Sequence, residues 1–257
     1  MPLGFTQQFW RELRGWCRQR AREKGARSAT RLLVCNLWAF VRESTPERRR
    51  QRYGDMEYDW EHRVNTTSGT VSWRARLLGL FHSPYQPTEP ALFREMMASL
   101  PIEFDQFTFI DLGSGKGRTL LMASEYSFMK IVGVELLPEL HQIAQENLAS
   151  YKSESQKCFT LEAVCGDATD FSFPAEPVVL YLFNPLPEAG LRQVLRNIER
   201  GPRADSRTVY LAYHNPQLDR VLIESAAWTK LDSRTHQYCI YVFGESPGQK
   251  WSNCVRS

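Results

Sequence analysis

Apolar residues recur at three- and four-residue intervals in the N-terminal stretch: Phe9, Leu13 and Trp16, then Leu33, Leu37 and Phe40, each set among arginines. That spacing predicts two amphipathic helices, from Phe9 to about Arg27 and from Ala29 to about Arg42. Gly25 and the Ser44-Thr45-Pro46 cluster punctuate them. The stretch from Asp55 to Arg76 is polar and aromatic without a clear period, and three prolines among the residues from Ser83 to Pro90 then read as a rigid, extended loop.

Beyond Pro90 the pattern changes to an alternation of helix and strand. A helical run (Leu92, Phe93, Met96, Met97, Leu100) leads into the β-rich segment Phe107 to Leu112, which ends in Gly113-Ser114-Gly115-Lys116-Gly117. Helices are then predicted at Arg118–Tyr126, Pro138–Tyr151, Pro187–Arg200 and Leu218–Glu224, with strands at Ile131–Glu135, Phe159–Cys165, Val178–Phe183 and Thr208–Tyr213. Such an alternation builds a mostly parallel sheet covered by helices on both faces. Thr229–Asp232 and Gln237–Phe243 are strand-like with only a short turn between them, so they are expected to pair antiparallel.

Composition narrows the class. The chain has 257 residues, of which 42% are hydrophobic, 24% charged and 12% aromatic, and this excludes a collagen-like, disulfide-scaffold or wholly disordered protein. The longest apolar stretch, Leu32–Val41, is about half the roughly 18 residues that a membrane span needs. Arginines precede it with no small-residue cleavage site, so the N-terminus does not read as a secretory signal and a cytoplasmic protein is expected. The six cysteines form no C-x-x-C pair and the histidines offer them no ligand-spaced partner; reduced thiols and no metal site are expected.

The net charge of +3 is unevenly spread: residues 1–52 hold 13 Lys+Arg against 4 Asp+Glu, leaving the rest of the chain acidic. A basic segment of this kind suits nucleic acid, an acidic protein or a membrane surface, but a solvated helix face is the simpler reading, so nucleic-acid binding through residues 1–52 is not favoured. The extension is expected to pack as a cap with its arginines outward, glued by Trp10, Trp16, Trp38, Trp60 and Trp73.

Spacing separates the nucleotide-type readings of the glycine turn. A P-loop needs G-x-x-x-x-G-K-[ST], but Gly115-Lys116 is followed by Gly117 and position 110 is Ile. A dinucleotide fingerprint starting at Gly113 needs its third glycine at 118, where Arg118 stands. What remains is D-x-G-x-G-x-G, from Asp111 to Gly117, with Glu135 ending the next strand, Cys165-Gly166-Asp167-Ala168 ending the third and Phe183-Asn184-Pro185 ending the fourth. This series resembles the class I S-adenosylmethionine-dependent methyltransferases.

The resemblance implies a Rossmann-like α/β fold with a seven-stranded, mostly parallel sheet and a C-terminal antiparallel strand, preceded here by a helical N-terminal extension. It also implies S-adenosyl-L-methionine as cofactor, with no metal. Gly113, Gly115 and Gly117, with Ser114 and Arg118, would form the turn against the ligand, Asp111 would face its ammonium, and Glu135 would accept from the ribose hydroxyls. Asp167 and the Ala168 N–H would meet the adenine, and Lys116 is expected at the loop edge, facing solvent. Each acid taken singly reads more simply as a helix cap or a loop contact with solvent, and it is the joint order that speaks for the ligand.

Within that superfamily, three local matches resemble the non-SET lysine methyltransferases of the disruptor-of-telomeric-silencing class and their bacterial relatives. Tyr85-Gln86-Pro87-Thr88 is similar to their Y-x-P-[ST] loop, Phe109 to Arg118 to their F-x-D-L-G-S-G-x-G-[QR] core, and Phe183-Asn184-Pro185-Leu186 to the element near the methyl group. Where eukaryotic members carry aromatic walls, this chain has Leu186 and Pro187. The resemblance implies transfer of a methyl group to an amino nitrogen, of a protein lysine or of a small molecule, with Asn184 and Tyr85 at the reaction and Thr88 near the cofactor. A catalytically silent cofactor-binding module and a nucleic-acid-associated protein are the competing readings. The expected organisation is a basic helical cap over residues 1–83, the methyltransferase domain over 84–250, and a tail, 251–257.

Overall fold

The computed structural model describes residues 5–43, 45, 56–78, 85–201, 207–231 and 235–244. His82, Ser83, Pro84, Cys254 and the 251–257 tail lie outside them. By contact clustering the chain divides into two compact units: residues 1–61 with 67–86, and residues 62–66 with 87–257.

In the first unit, helices α1 (Phe5–Lys24) and α2 (Ala26–Glu43) form a hairpin about Gly25, whose φ of 80° is left-handed. Arg11, Arg14, Arg18 and Arg22 lie exposed along α1, and Trp16 is buried. Trp10, Trp38, Trp60 and Trp73 are instead at least half exposed, so of the five tryptophans expected as glue only Trp16 packs as one. The segment without clear period carries two short helices, α3 (Met56–His62) and α4 (Trp73–Leu78). The Thr67 N–H donates to buried Asp59 (2.7 Å), and the Thr67 hydroxyl caps the turn at Ser68–Thr70; such side-chain-to-backbone bonds hold short elements that periodicity does not announce.

The second unit opens with α5 (Pro90–Ala98) and contains one sheet: β1 (Thr108–Leu112), β2 (Lys130–Glu135), β3 (Leu161–Cys165), β4 (Val178–Leu182), β5 (Val209–His214), β6 (Trp228–Lys230) and β7 (Tyr238–Phe243). The strand order is β3-β2-β1-β4-β5-β7-β6, and β7 pairs antiparallel with both its neighbours. This is the Rossmann-like sheet with an antiparallel C-terminal strand that the alternation predicts. The central strands are apolar on both faces because helices cover both: every residue of β1 and β4 is buried. Helices α6 (Arg118–Ala123), α7 (Pro138–Ser150), α8 (Glu188–Glu199) and α9 (Asp219–Ile223) connect the strands. Helix α8 shows how the sequence selects its face: Leu191, Val194, Leu195 and Ile198 fall on one stripe and pack into the core with Ile110, Leu180 and Leu211.

The topology also locates a site. Strand order reverses between β1 and β4, and crevices at the carboxyl ends of strands flanking such a point are where open α/β sheets take ligands.

Candidate active site

The turn after β1 is built by three glycines in left-handed conformation: Gly113 (φ 87°), Gly115 (φ 55°) and Gly117 (φ 83°). A side chain at 113 is excluded twice over, since its β-carbon would also lie 2.5 Å from the Pro185 Cβ. The Gly113 and Ser114 amides donate to the Val134 carbonyl, 2.8 and 3.1 Å away, so the turn closes onto the end of β2. The Ser114 side chain turns toward Gly133, and its buried Oγ takes no hydrogen bond among the described residues.

Glu135 is buried at the tip of β2 and holds two loops with its two oxygens. The Gly115 N–H donates to Oε2 and the Leu137 N–H to Oε1, each at 2.8 Å. A carboxylate has about four acceptor positions, more than these two amides use. Asp111, 2% exposed, accepts a short hydrogen bond from the Thr119 hydroxyl. Burial, reinforced by the Glu135 charge and opposed by Thr119, raises its pKa to about 7. Asp111 is thus a buried carboxyl on the edge of ionisation, which a ligand cation would convert to carboxylate.

Lys116 corrects a sequence-based expectation. It is fully buried rather than at a solvent edge, and its Nζ donates to Asn65 Oδ1 at 3.1 Å. Arg118 is also buried, with Nε donating to the Thr66 hydroxyl at 2.6 Å. Their chemistry is spent on a segment fifty residues upstream, which no local motif could signal. Asp167 is exposed and caps the turn at Ala168–Asp170, its Oδ1 accepting from the Thr169 N–H (2.8 Å) and hydroxyl (2.7 Å). The cap reading of that acid is therefore realised, with Ala168 buried beside it. The Gly166 N–H donates to the Glu135 carbonyl at 3.0 Å and ties this third loop to β2.

At the ends of β4 and β5 lies a second group, in which Tyr181 and His214 join the expected Thr88 and Phe183. The Thr88 hydroxyl, 3% exposed, shares a 2.6 Å hydrogen bond with the Tyr181 hydroxyl, which shares a 2.8 Å bond with His214 Nδ1. Burial and the Asp111 carboxyl push the Tyr181 phenol well above its ordinary pKa. Burial lowers His214 to about 4, so the imidazole is neutral near pH 7. Phe183 stacks on the His214 ring, with centroids 3.7 Å apart and planes at 28°. His214 is the last residue of β5, one beyond the strand that the sequence predicts, and the next helix starts at Asp219.

Asn184 follows Phe183 in left-handed conformation (φ 47°), as does Asn215 (φ 48°). Asn184 Nδ2 donates to the Asn215 carbonyl, and its Oδ1 accepts from the Gln217 N–H at 3.4 Å. Tyr85 is half-buried and belongs to the first compact unit, while Thr88 belongs to the second. The structure thus brings Asp111, the glycine turn, Glu135, Thr88 and the Asn184 loop to the carboxyl ends of adjacent strands. Among the described residues, no three His, Cys, Asp or Glu side chains group as a metal site, and no helix is long and apolar enough to cross a membrane.

The glycine cradle, the buried Asp111 carboxyl and the Glu135 carboxylate at the tip of β2 fit S-adenosylmethionine. Residues 109–203 match the family described as a methyltransferase domain. That stretch is a methyltransferase domain with the class I, S-adenosylmethionine-dependent fold. Several solved structures are similar to this methyltransferase at low identity. An RNA methyltransferase from Salinibacter ruber in complex with S-adenosyl-L-homocysteine is 21% identical, with 62% of this chain and 92% of that one covered and a TM-score of 0.41. The putative methyltransferase yhhF from Escherichia coli is 19% identical over 63% and 90%, with a TM-score of 0.47. A putative methylase from Haemophilus influenzae is 21% identical over 60% and 87%, with a TM-score of 0.43. No curated protein matches the methyltransferase.

Proposed function

We propose that this methyltransferase acts on an amino nitrogen of a protein, a lysine side chain, as its resemblance to the non-SET class implies, and that it does so in the cytoplasm. The observation that carries the reading is the Phe183–His214 stack beside Asn184. These two rings supply an aromatic wall at the end of the sheet where Leu186 and Pro187 do not. His214 is neutral near pH 7, so it does not repel a cation, and an aromatic face attracts the ammonium that methylation of an amine produces, by about 0.5–2 kcal/mol. An acidic substrate would instead call for a cation at this wall. The five described cysteines are free, in keeping with a reducing compartment.

S-adenosylmethionine brings an electrophilic methyl group on a sulfonium, already activated by its charge. The work left to the protein is orientation and exclusion of water, and orientation is worth ~7–11 kcal/mol. Asn184 Oδ1 accepts an N–H of the incoming amine and aims its lone pair; as an amide it takes no proton, which leaves to water. Left-handed backbone at 184 and 215 and the bond from Asn184 to Asn215 fix that carboxamide. The exposed arginines of α1 (Arg11, Arg14 and Arg18), which with Gln7 and Trp10 line a depression of about 510 Å³, suit an acidic protein partner.

The test is to incubate the enzyme with radiolabelled S-adenosylmethionine and a lysate separated into macromolecular and small-molecule fractions. Protease-sensitive label in the macromolecular fraction, lost with Asn184→Ala, is expected. Label confined to small molecules, or released by nuclease, would overturn the assignment to protein.

A further inference from the structure

The chain enters the second unit for residues 62–66 and leaves it again, and this excursion ends on the glycine turn. Asn147, 3% exposed near the end of α7, joins the two through both ends of its amide. Its Oδ1 accepts from the Asn65 N–H (2.8 Å), and its Nδ2 donates to the Asn65 carbonyl (3.0 Å) and to the Lys116 carbonyl (2.9 Å). Two bonds return from the turn: Lys116 Nζ to Asn65 Oδ1 and Arg118 Nε to the Thr66 hydroxyl. His62 stacks on Tyr151 just beyond α7, and the site of a β-carbon on Gly117 is 3.3 Å from Ala144 on that helix.

We propose that residues 62–66 are a strap that sets cofactor affinity, with Asn65 and Asn147 as its positioning residues. Glu135 fixes the first half of the glycine turn through the Gly115 amide; the strap and Asn147 fix the second half through Lys116 and Arg118. A turn held at both halves presents its amides to the ligand with no ordering left to do on binding, and removing one hold returns that cost to the binding step. Because the Asn147 amide pairs with the Asn65 backbone, and Lys116 closes a ring between them through its carbonyl on Asn147 and its ammonium on Asn65, the turn and the strap open together. The strap lies outside the family's glycine motif, and its residues touch the cofactor only through that turn.

The experiment is calorimetric titration of the full chain with S-adenosyl-L-homocysteine, alongside hydrogen exchange of the wild type with and without it. Asn147→Ala should weaken binding about 10-fold. Asn65→Ala should weaken binding several-fold. Asn65→Asp, which keeps the acceptor for Lys116, should restore it. Amides 62–66 should gain protection when ligand binds. Should Asn147→Ala fail to fold, the Asn65 pair decides: equal affinities for Asn65→Ala and Asn65→Asp overturn the proposal. Wild-type affinity in folded Asn147→Ala, or a strap whose exchange ignores the ligand, overturns it equally. None of these readouts depends on the methyl acceptor.

Discussion

Pro185 rests on Gly113: a β-carbon built at 113 would fall 2.5 Å from the proline Cβ. The loop that leaves β4 with Asn184 therefore lies against the turn that leaves β1, and on the proposed reading this contact would set the methyl-acceptor side of the site beside the cofactor side. Gly113→Ala must both adopt a left-handed φ and push Pro185 away. The backbone part alone costs ~1–2 kcal/mol. We expect a lowered Tm and weaker cofactor binding together, and a variant with wild-type Tm and affinity would show that the two loops separate freely.

On the proposed assignment, Asp111 should make cofactor binding depend on pH. The free protein keeps this carboxyl protonated up to about pH 7, and an ammonium beside it favours the carboxylate. Binding below that pH should therefore release a proton, and affinity should rise with pH and level off above about 7. Titration in buffers of different ionisation enthalpy measures the release directly. Asp111→Asn should abolish it; equal apparent enthalpies in all buffers for the wild type would contradict the pairing.

Asp111 and His214 act oppositely on the pH dependence of stability. Between the ordinary carboxyl pKa of 3.8 and about 7, the folded state holds the Asp111 proton that the unfolded chain has lost, so its contribution to stability falls as pH rises. Between about 4 and 6.5 the unfolded chain protonates His214 while the folded state does not, so that contribution rises with pH. The two offset each other in the wild type. Asp111→Asn should leave a Tm that climbs with pH across this window, and His214→Gln one that declines. Variants that tilt the same way would show that one of the two groups is not buried as described.

Glu135→Ala strips the acceptor from two buried amides, at ~1–3 kcal/mol for such a loss, and should lower both Tm and cofactor affinity. Lys116→Ala should also be damaging, though less so, because the ammonium is buried against Asn65. A Lys116→Ala protein indistinguishable from wild type would return the side chain to solvent.

The features legible in the sequence are those in which neighbours along the chain cooperate. Leu191 to Ile198 advertise their helix face, the Gly113–Gly117 turn announces left-handed backbone, and the short gap before Tyr238 leaves no room for a crossover. What escaped reading depends on residues far apart in sequence. The Asn65–Asn147 bonds span 82 positions, so nothing near Lys116 or Arg118 shows that they are buried. Tyr181 and His214 sit on strands that read as plain core, and only the β4–β5 pairing brings His214 to Phe183. The short helices around Trp60 and Trp73 span seven and six residues and bury only two residues each, too few to set up a period.

The account stands on the carboxyl ends of β1 and β2 being the S-adenosylmethionine site. Calorimetric titration of the wild-type chain with S-adenosylmethionine and with S-adenosyl-L-homocysteine tests this most directly. The arrangement of Asp111, the glycine turn and Glu135 predicts saturable binding of both in the micromolar range, with one molecule per chain. Absence of binding by either compound would contradict it.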